Sequence, residues 1–565
     1  MKQVVAASLL LTSLPLISSD TARAEFNVVE ASIADMQQAM ASGRVTSREL
    51  VQQYLMRIAL YDKKLNAVIT VNPNALSEAE ERDHERTQGR LIGPLHGIPI
   101  ALKDNIHTIN MPTTGGALAF EGFVPPYEAT LVKYLRGAGA VIIAKTSMTE
   151  LANWIAGAPT PMPSGYNPIS GYGMNPYDPR RDPRQGSDDG RPVLSPGGSS
   201  SGIGTTANFW AANVGTETSG SLLSPGTMTM LVAIKPTVGR ISRYGIIPLT
   251  LDQDTAGPMA RTVADAATLL GALENVEPDP NDPVKTCTAP PFRDYTRFLN
   301  RDALKGARIG IPRAFYYEPI APPGLPLRFG GLDPDEAAAM AEAIAVLKQQ
   351  GAVIVDPANI PSVVDQDPNQ NSLHWQVCRG SGGAKGMDAG CSVVFKYGMK
   401  RDFNKWLASL GPTAPVKTLT DLRQWNIAHA QAGALKYGQS QLDISDEMDV
   451  EADRQRYTQD RAKDVALSAT HGIDEIMRAE RLDALLFPAG YGALLSARAG
   501  YPTVIVPFAM VANVRNRQFP PGFEAKPSPF GVSFAGGACS EPRLLALAYA
   551  FEQVTKRRVP PASVP

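Results

Sequence analysis

A chain of 565 residues with 44% apolar and 19% charged side chains has the composition of a folded protein with a large core and not of a disordered one. Its formal net charge of −1 comes with no basic block, which argues against electrostatic capture of nucleic acid or of an anionic membrane surface. Four cysteines and six histidines are too few and too scattered for a disulfide scaffold or a zinc pattern.

The chain opens with a secretory pattern over residues 1–24. Lys2 supplies the positive start, Val4 to Ile17 a short apolar core, and Ala22-Arg23-Ala24 an A-x-A cleavage site. Export to the periplasm or the medium is expected, with cleavage near Ala24 and residues 25–565 left as a single domain. No later segment holds about 20 apolar residues in a row, so no stable membrane insertion is expected.

Ser32 (SIAD) and Thr46 (TSRE) look like N-caps with an acidic residue three positions on. After Thr46, Leu50, Val51, Tyr54, Leu55 and Ile58 recur at helical spacing and predict one buried face. Short β-rich runs then alternate with helical stretches. The runs are VITV at Val68, IPIAL ending at Leu102, AVIIAK, RIGIP at Arg308, AVIVD at Ala352, DALLFPA and PTVIVPF. This alternation predicts an α/β fold with a large mixed or parallel sheet core covered by helices on both faces. Two segments break the rhythm. Asp178 to Pro196 is charged and rich in Pro and Gly and predicts an exposed loop. Residues 362–463 carry long helical patterns and predict a helical insertion with too few strand signals for a second sheet. Cys378 and Cys391 lie close together in a glycine-rich loop there and are the candidate disulfide pair.

Two serine–glycine runs carry the chemistry: SPGGSSSG (Ser195 to Gly202) and GTETSGSLLSPG (Gly215 to Gly226). Linkers are polar, but the intervening IGTTANFWAANVG is small, apolar and free of charge. It predicts a buried helix. GSSSG matches the nucleophile-elbow pattern G-x-S-x-G with Ser200 at its centre, but that motif needs an apolar strand directly before it. DDGRPVLSP is a poor one, and His374, His429 and His471 have no local context that favours any of them as a base.

A third reading uses both runs together with Lys103. GIPIALKDNI, GGSSSG, GTETSGSLLSPG, IKPTVGRISRYGIIPLTLDQDTAGPMARTVADAA and FGVSFAGGACSEPRLLALAYAFEQVTKRRVPP resemble, in order and over nearly the whole chain, the amidase signature family of serine hydrolases. Within it the resemblance runs to bacterial peptide amidases, which remove the C-terminal amide of peptides. It implies the amidase signature fold, Ser221 as nucleophile, Ser199 as bridging serine and Lys103 as base. It also implies an oxyanion hole of backbone donors at Thr218, Ser219 and Gly220, with Ser221 itself a further candidate, and no metal or organic cofactor.

A serine hydroxyl needs a base beside it, and lysine serves only when neutral, which burial favours. The interval from Ser199 to Ser221 is slightly shorter than the family's, which leaves Ser200 and Ser201 as alternative bridges. SLLSPG stands where an arginine-containing version is commoner. Asp104 reads as a cap or as an orienting charge on Lys103, and Asp254 as a supporting residue.

The expected substrate is a peptide amide. Aryl acylamides and synthetic amides or carbamates are alternatives, as is an inactive amide-binding protein on the same scaffold. Glutamine-dependent subunits of the family work inside the cell with partners. The secretory pattern argues against that role, and no obligate partner subunit is expected.

Overall fold

The computed structural model describes residues 26–187, 189–198, 201–274, 277–513 and 518–565. The secretory pattern of residues 1–24 therefore lies outside the described residues, as do Ser199 and Ser200. Eleven strands form one sheet. In chain order they are β1 (Val68–Val71), β2 (Pro99–Lys103), β3 (Val141–Thr146), β4 (Ala212–Glu217), β5 (Val232–Lys235), β6 (Thr255–Ala260), β7 (Arg308–Gly310), β8 (Val353–Val355), β9 (Ala484–Pro488), β10 (Thr503–Val511) and β11 (Ser528–Ala535).

The spatial order is β1-β3-β2-β4-β6-β5-β10-β11-β9-β7-β8. Strands β3, β2 and β4 run parallel, as do β9, β7 and β8. The middle of the sheet, from β4 through β6, β5, β10 and β11 to β9, is antiparallel. The sheet is mixed, and helices pack around it.

The helices used below are α1 (Ile33–Ala41), α2 (Ser47–Leu65), α3 (Ile203–Thr206), α4 (Leu223–Met228), α5 (Val263–Leu273), α6 (Pro334–Gln349), α7 (Val394–Ser409) and α8 (Glu541–Thr555). Ser32 and Thr46 close capping boxes at the starts of α1 and α2, with Asp35 and Glu49 as the reciprocal partners. Asp333 does the same for α6, whose first residue is Pro334. Leu50, Val51, Tyr54 and Ile58 form the buried face of α2. Helices α5 and α8 cover part of the sheet, against β6 and β10 respectively. No described helix is long and apolar enough to cross a membrane.

Three sequence expectations are corrected here. The charge-free run after Gly202 is buried throughout, but it is not one helix. One turn of helix, α3, ends where Asn208 adopts a left-handed conformation (φ 56°), and β4 begins at Ala212. The Asp178–Pro196 loop is not simply exposed, because Val193 and Leu194 bury themselves with Tyr177 and Met230 in a small core of their own. Residues 362–463 are mostly helical, yet Gln376–Val377 and Cys391–Ser392 pair as a short two-stranded sheet. The Cys378–Cys391 disulfide is formed beside that pairing. A second disulfide, Cys287–Cys539, joins residues 252 positions apart, a separation too long for the sequence to suggest the pair.

Candidate functional site

Lys103 is the last residue of β2, whose five residues are all buried. A strand held between parallel neighbours on both sides exposes no edge and no face to water, so its terminal lysine is buried with it. Lys103 is 0% exposed. Its Nζ donates to the Thr216 carbonyl (3.2 Å) and to Thr216 Oγ1 (2.8 Å) on β4. Asn105 Nδ2 donates to the same hydroxyl at 3.0 Å. Burial lowers the Lys103 pKa to about 7, against the opposing pull of the Asp254 and Glu217 carboxyl groups. Near neutral pH a large share of this amine is uncharged. Its two hydrogens then have acceptors on Thr216, and its lone pair is left available.

Ser221 lies in the turn between β4 and α4 and is 7% exposed. Two devices hold that turn. Glu217, the last residue of β4, accepts from the backbone amides of Leu222 (2.7 Å) and Leu223 (3.0 Å), and Gly220 accepts from the Ser224 amide at 2.8 Å. Gly220 has φ +83°, and a methyl group built on it would meet only the Ala493 Cβ, at 3.6 Å. Glycine is required there by the backbone angle and not by crowding. Leu222 and Leu223 are buried against Leu231, Ala233 and Met259.

The other serine–glycine run is packed directly on this turn. A methyl group built on Gly198 would lie 3.1 Å from the Ser221 Cα, and one on Gly197 would lie 2.6 Å from the Ser224 carbonyl oxygen. The Gly198 amide donates to Ser224 Oγ (3.1 Å), and its carbonyl accepts from Thr149 Oγ1 (3.0 Å). Both glycines have positive φ. The glycines of the two runs thus touch backbone to backbone although more than twenty positions separate them. Ser201 is buried and gives its hydroxyl to Met259 Sδ (3.4 Å).

Thr218 donates its hydroxyl to Asp254 Oδ1 (2.5 Å) and accepts at its carbonyl from Gln253 Nε2 (3.1 Å). Burial pushes Asp254 up to about 7. Asp104 turns away from Lys103 and pairs with Lys145 (3.2 Å) and Thr114. Among the histidines weighed for an elbow-type triad, His471 lies between Asp365 and Glu475 and His429 stacks on Trp425. Among the described residues no cluster of metal-ligating side chains occurs.

Thr216, Asn105, Glu217 and Gln253 are the site residues that sequence reasoning missed. Thr216 and Glu217 sit inside the GTETSGS run itself. A threonine and a glutamate a few positions before the candidate nucleophile were the available signal. A cavity of about 320 Å³ lies at the far end of α4, between Thr227, Met228, Ser164 and the Arg184, Arg191 and Ser195 side of the 178–196 loop.

Residues 49–545 match the family model described as Amidase. The chain is 32% identical over 545 residues to a probable amidase of Arabidopsis thaliana, covering 95% of this chain and 92% of that protein. It is 38% identical to one subunit of the glutamyl-tRNA(Gln) amidotransferase of Chloroflexus aurantiacus, over 57% of this chain and 58% of the other. Among solved structures, the native peptide amidase from Stenotrophomonas maltophilia superposes with a TM-score of 0.77 at 35% identity, covering 95% of this chain and 99% of that one.

Proposed function

The chain belongs to the amidase signature family and hydrolyses carbon–nitrogen amide bonds, and from that premise we propose that Ser221 is its nucleophile, Lys103 its base and a C-terminal peptide amide its substrate. The observation that carries the assignment is the state of Lys103. A lysine wholly removed from water, displaced to about 7, with both hydrogens of its neutral form accepted by Thr216, suits proton abstraction at neutral pH and has no evident structural use.

In this reading the Ser221 hydroxyl proton passes through a bridging serine to the Lys103 lone pair as Ser221 Oγ attacks the amide carbonyl. Ser199 is assigned the bridge because it directly follows Gly198, which rests on the Ser221 backbone. Ser201 is disfavoured because its hydroxyl faces Met259. The developing oxyanion is held by backbone amides at Thr218, Ser219, Gly220 and Ser221. The proton returns to the departing ammonia, and water, deprotonated along the same route, releases the carboxylic acid from Ser221.

The peptide-amide assignment rests on likeness to the Stenotrophomonas enzyme over nearly the full length of both chains. Two disulfides support export along with the A-x-A pattern at Ala24, since such bonds persist outside the cytosol. Export also supports action without a partner subunit.

Ammonia release from a blocked dipeptide amide tests the reading, with Ser221→Ala run beside the wild type. Release by the wild type alone is expected. Equal release by a folded Ser221→Ala protein overturns the nucleophile, and no release by either, with hydrolysis of anilides or carbamates instead, overturns the substrate.

A further inference from the structure

The geometry points to Gln253 as a positioning residue for the oxyanion hole, acting through one peptide plane. This inference rests on the reading of Ser221 as nucleophile. Gln253 is 0% exposed, and its Nε2 donates to the carbonyl of Thr218 at 3.1 Å. That carbonyl belongs to the same peptide unit as the N–H of Ser219. The only cis peptides among the described residues precede Pro159 and Pro357, so the 218–219 unit is trans. In a trans planar peptide the C=O and N–H point in opposite directions. Fixing the carbonyl toward Gln253, on the interior side, fixes the Ser219 N–H away from it.

The Thr218 side chain supplies a second anchor to the same segment of chain. Its hydroxyl donates to Asp254 Oδ1 (2.5 Å), and Asp254 Oδ2 is in turn held by the Leu249 amide (2.9 Å). Thr218 is therefore gripped at its carbonyl and at its hydroxyl by two consecutive residues, Gln253 and Asp254. On the other side of Ser219, the Gly220 carbonyl is fixed by the Ser224 amide, which by the same reasoning orients the Ser221 N–H. An oxyanion hole needs donors aimed before the charge develops, with no reorientation during the reaction. Loss of the Gln253 donor leaves a buried carbonyl without a partner, and rotating the 218–219 plane to find another one turns the Ser219 N–H out of line.

The test uses Gln253→Met, which keeps the length of the side chain and removes the donor. It compares three probes with one acyl group: the amide substrate, the aldehyde and the corresponding alcohol. Ser221 adds to the aldehyde to give a tetrahedral hemiacetal whose oxygen occupies the oxyanion site, whereas the alcohol binds without forming one. The expected result is a fall in kcat of about 10- to 100-fold with KM changed less than about twofold. Aldehyde affinity falls in step with kcat/KM, and alcohol affinity is unchanged.

Equal weakening of aldehyde and alcohol, or wild-type kcat in folded Gln253→Met, overturns the inference. Gln253→Leu, also without a donor, is read identically should the methionine variant not fold. Ser221→Ala separates the two readings. If it is inactive while Gln253→Met behaves as wild type, only the role of Gln253 falls. If it is as active as wild type, the nucleophile assignment falls.

Discussion

The floor of the site and its rim are both rich in polar groups, and they are built in opposite ways. On the floor, Lys103, Thr216, Glu217 and Gln253 are almost wholly buried, and Lys103 bonds Thr216 and Gln253 bonds Thr218 across segments far apart in the chain. On the rim, the 178–196 loop satisfies its charges locally. Arg180 pairs with Asp178 (2.7 Å), Arg184 with Asp182 (2.8 Å) and Arg191 with Asp189 (2.6 Å), each across a single intervening residue. Arg180 and Arg184 also lie over Phe523 and Phe519, both at 4.4 Å. The link from the rim to the helical insertion is aromatic and cationic. Lys436 sits 4.8 Å above the Tyr166 ring and 4.7 Å above that of Tyr172, and Tyr437 donates its hydroxyl to Asp189.

The difference is one of dielectric. Floor contacts are made out of water, where each bond and each unpaired group carries full weight. Rim pairs keep an arginine partly in water, 42% exposed at Arg180, and are partly screened on that side.

Replacing the proposed base breaks the comparison most severely. Lys103→Met is expected to lower turnover by about 10⁴-fold or more while the protein stays folded, as circular dichroism and ammonia release together would establish. In the wild type, kcat/KM should climb about tenfold per pH unit below about 7 and level off above it, because in the proposed mechanism only neutral Lys103 takes the proton. The same displacement affects stability. Between about 7 and the ordinary lysine value, the unfolded chain holds a proton that the folded chain has released. Stability gained from this group therefore rises with pH across that window, and Lys103→Met should flatten the slope in urea titrations. A slope unchanged by the substitution contradicts the burial argument.

Next in size is the Cys287–Cys539 bond, which belongs to neither region. A bridge closing a loop of 252 residues restricts the unfolded chain far more than one closing 13. Removing it by double serine substitution should cost about 5–6 kcal/mol on the chain-entropy account, read as a lowered urea midpoint with kcat unchanged. Loss of Cys378–Cys391 should cost less, and the reverse order would contradict that account.

Smallest is the rim itself. Asp189→Asn removes the charge that pairs with Arg191 and one of the two oxygens that accept from Arg191 and Tyr437. It should shift stability by no more than about 1 kcal/mol while changing the relative rates on amides with different acyl groups. Uniform loss on all substrates would instead make the rim part of the catalytic floor.

The same contrast decides what was legible in the sequence. Lys103 was, because the family resemblance singled out the lysine that ends an apolar run expected to be buried, and its burial follows. Ser221 and Gly220 were, because their motif is local. Strand β4 was not. A strand buried on both faces loses the apolar–polar alternation that marks strands at a surface, and ANVGTE after a charge-free stretch looks the same to periodicity as a buried helix. Thr216 and Gln253 were invisible as partners because register across the sheet, not spacing along the chain, brings them to Lys103 and Thr218. The Val193–Leu194 pair was a readable signal hidden by its charged neighbours, and it turns an expected exposed loop into one with a buried anchor.

The contact between Gly198 and the Ser221 Cα has a consequence for how this protein tolerates change. A side chain at 198 must push either itself or Ser221 out of place, so a library randomised over residues 195–198 and selected for activity should return glycine at 197 and 198 almost without exception. Ser195, at the outer end of the same short stretch and lining the cavity beside α4, should accept many residues. The boundary between what evolution can revise and what it must keep falls within four consecutive positions.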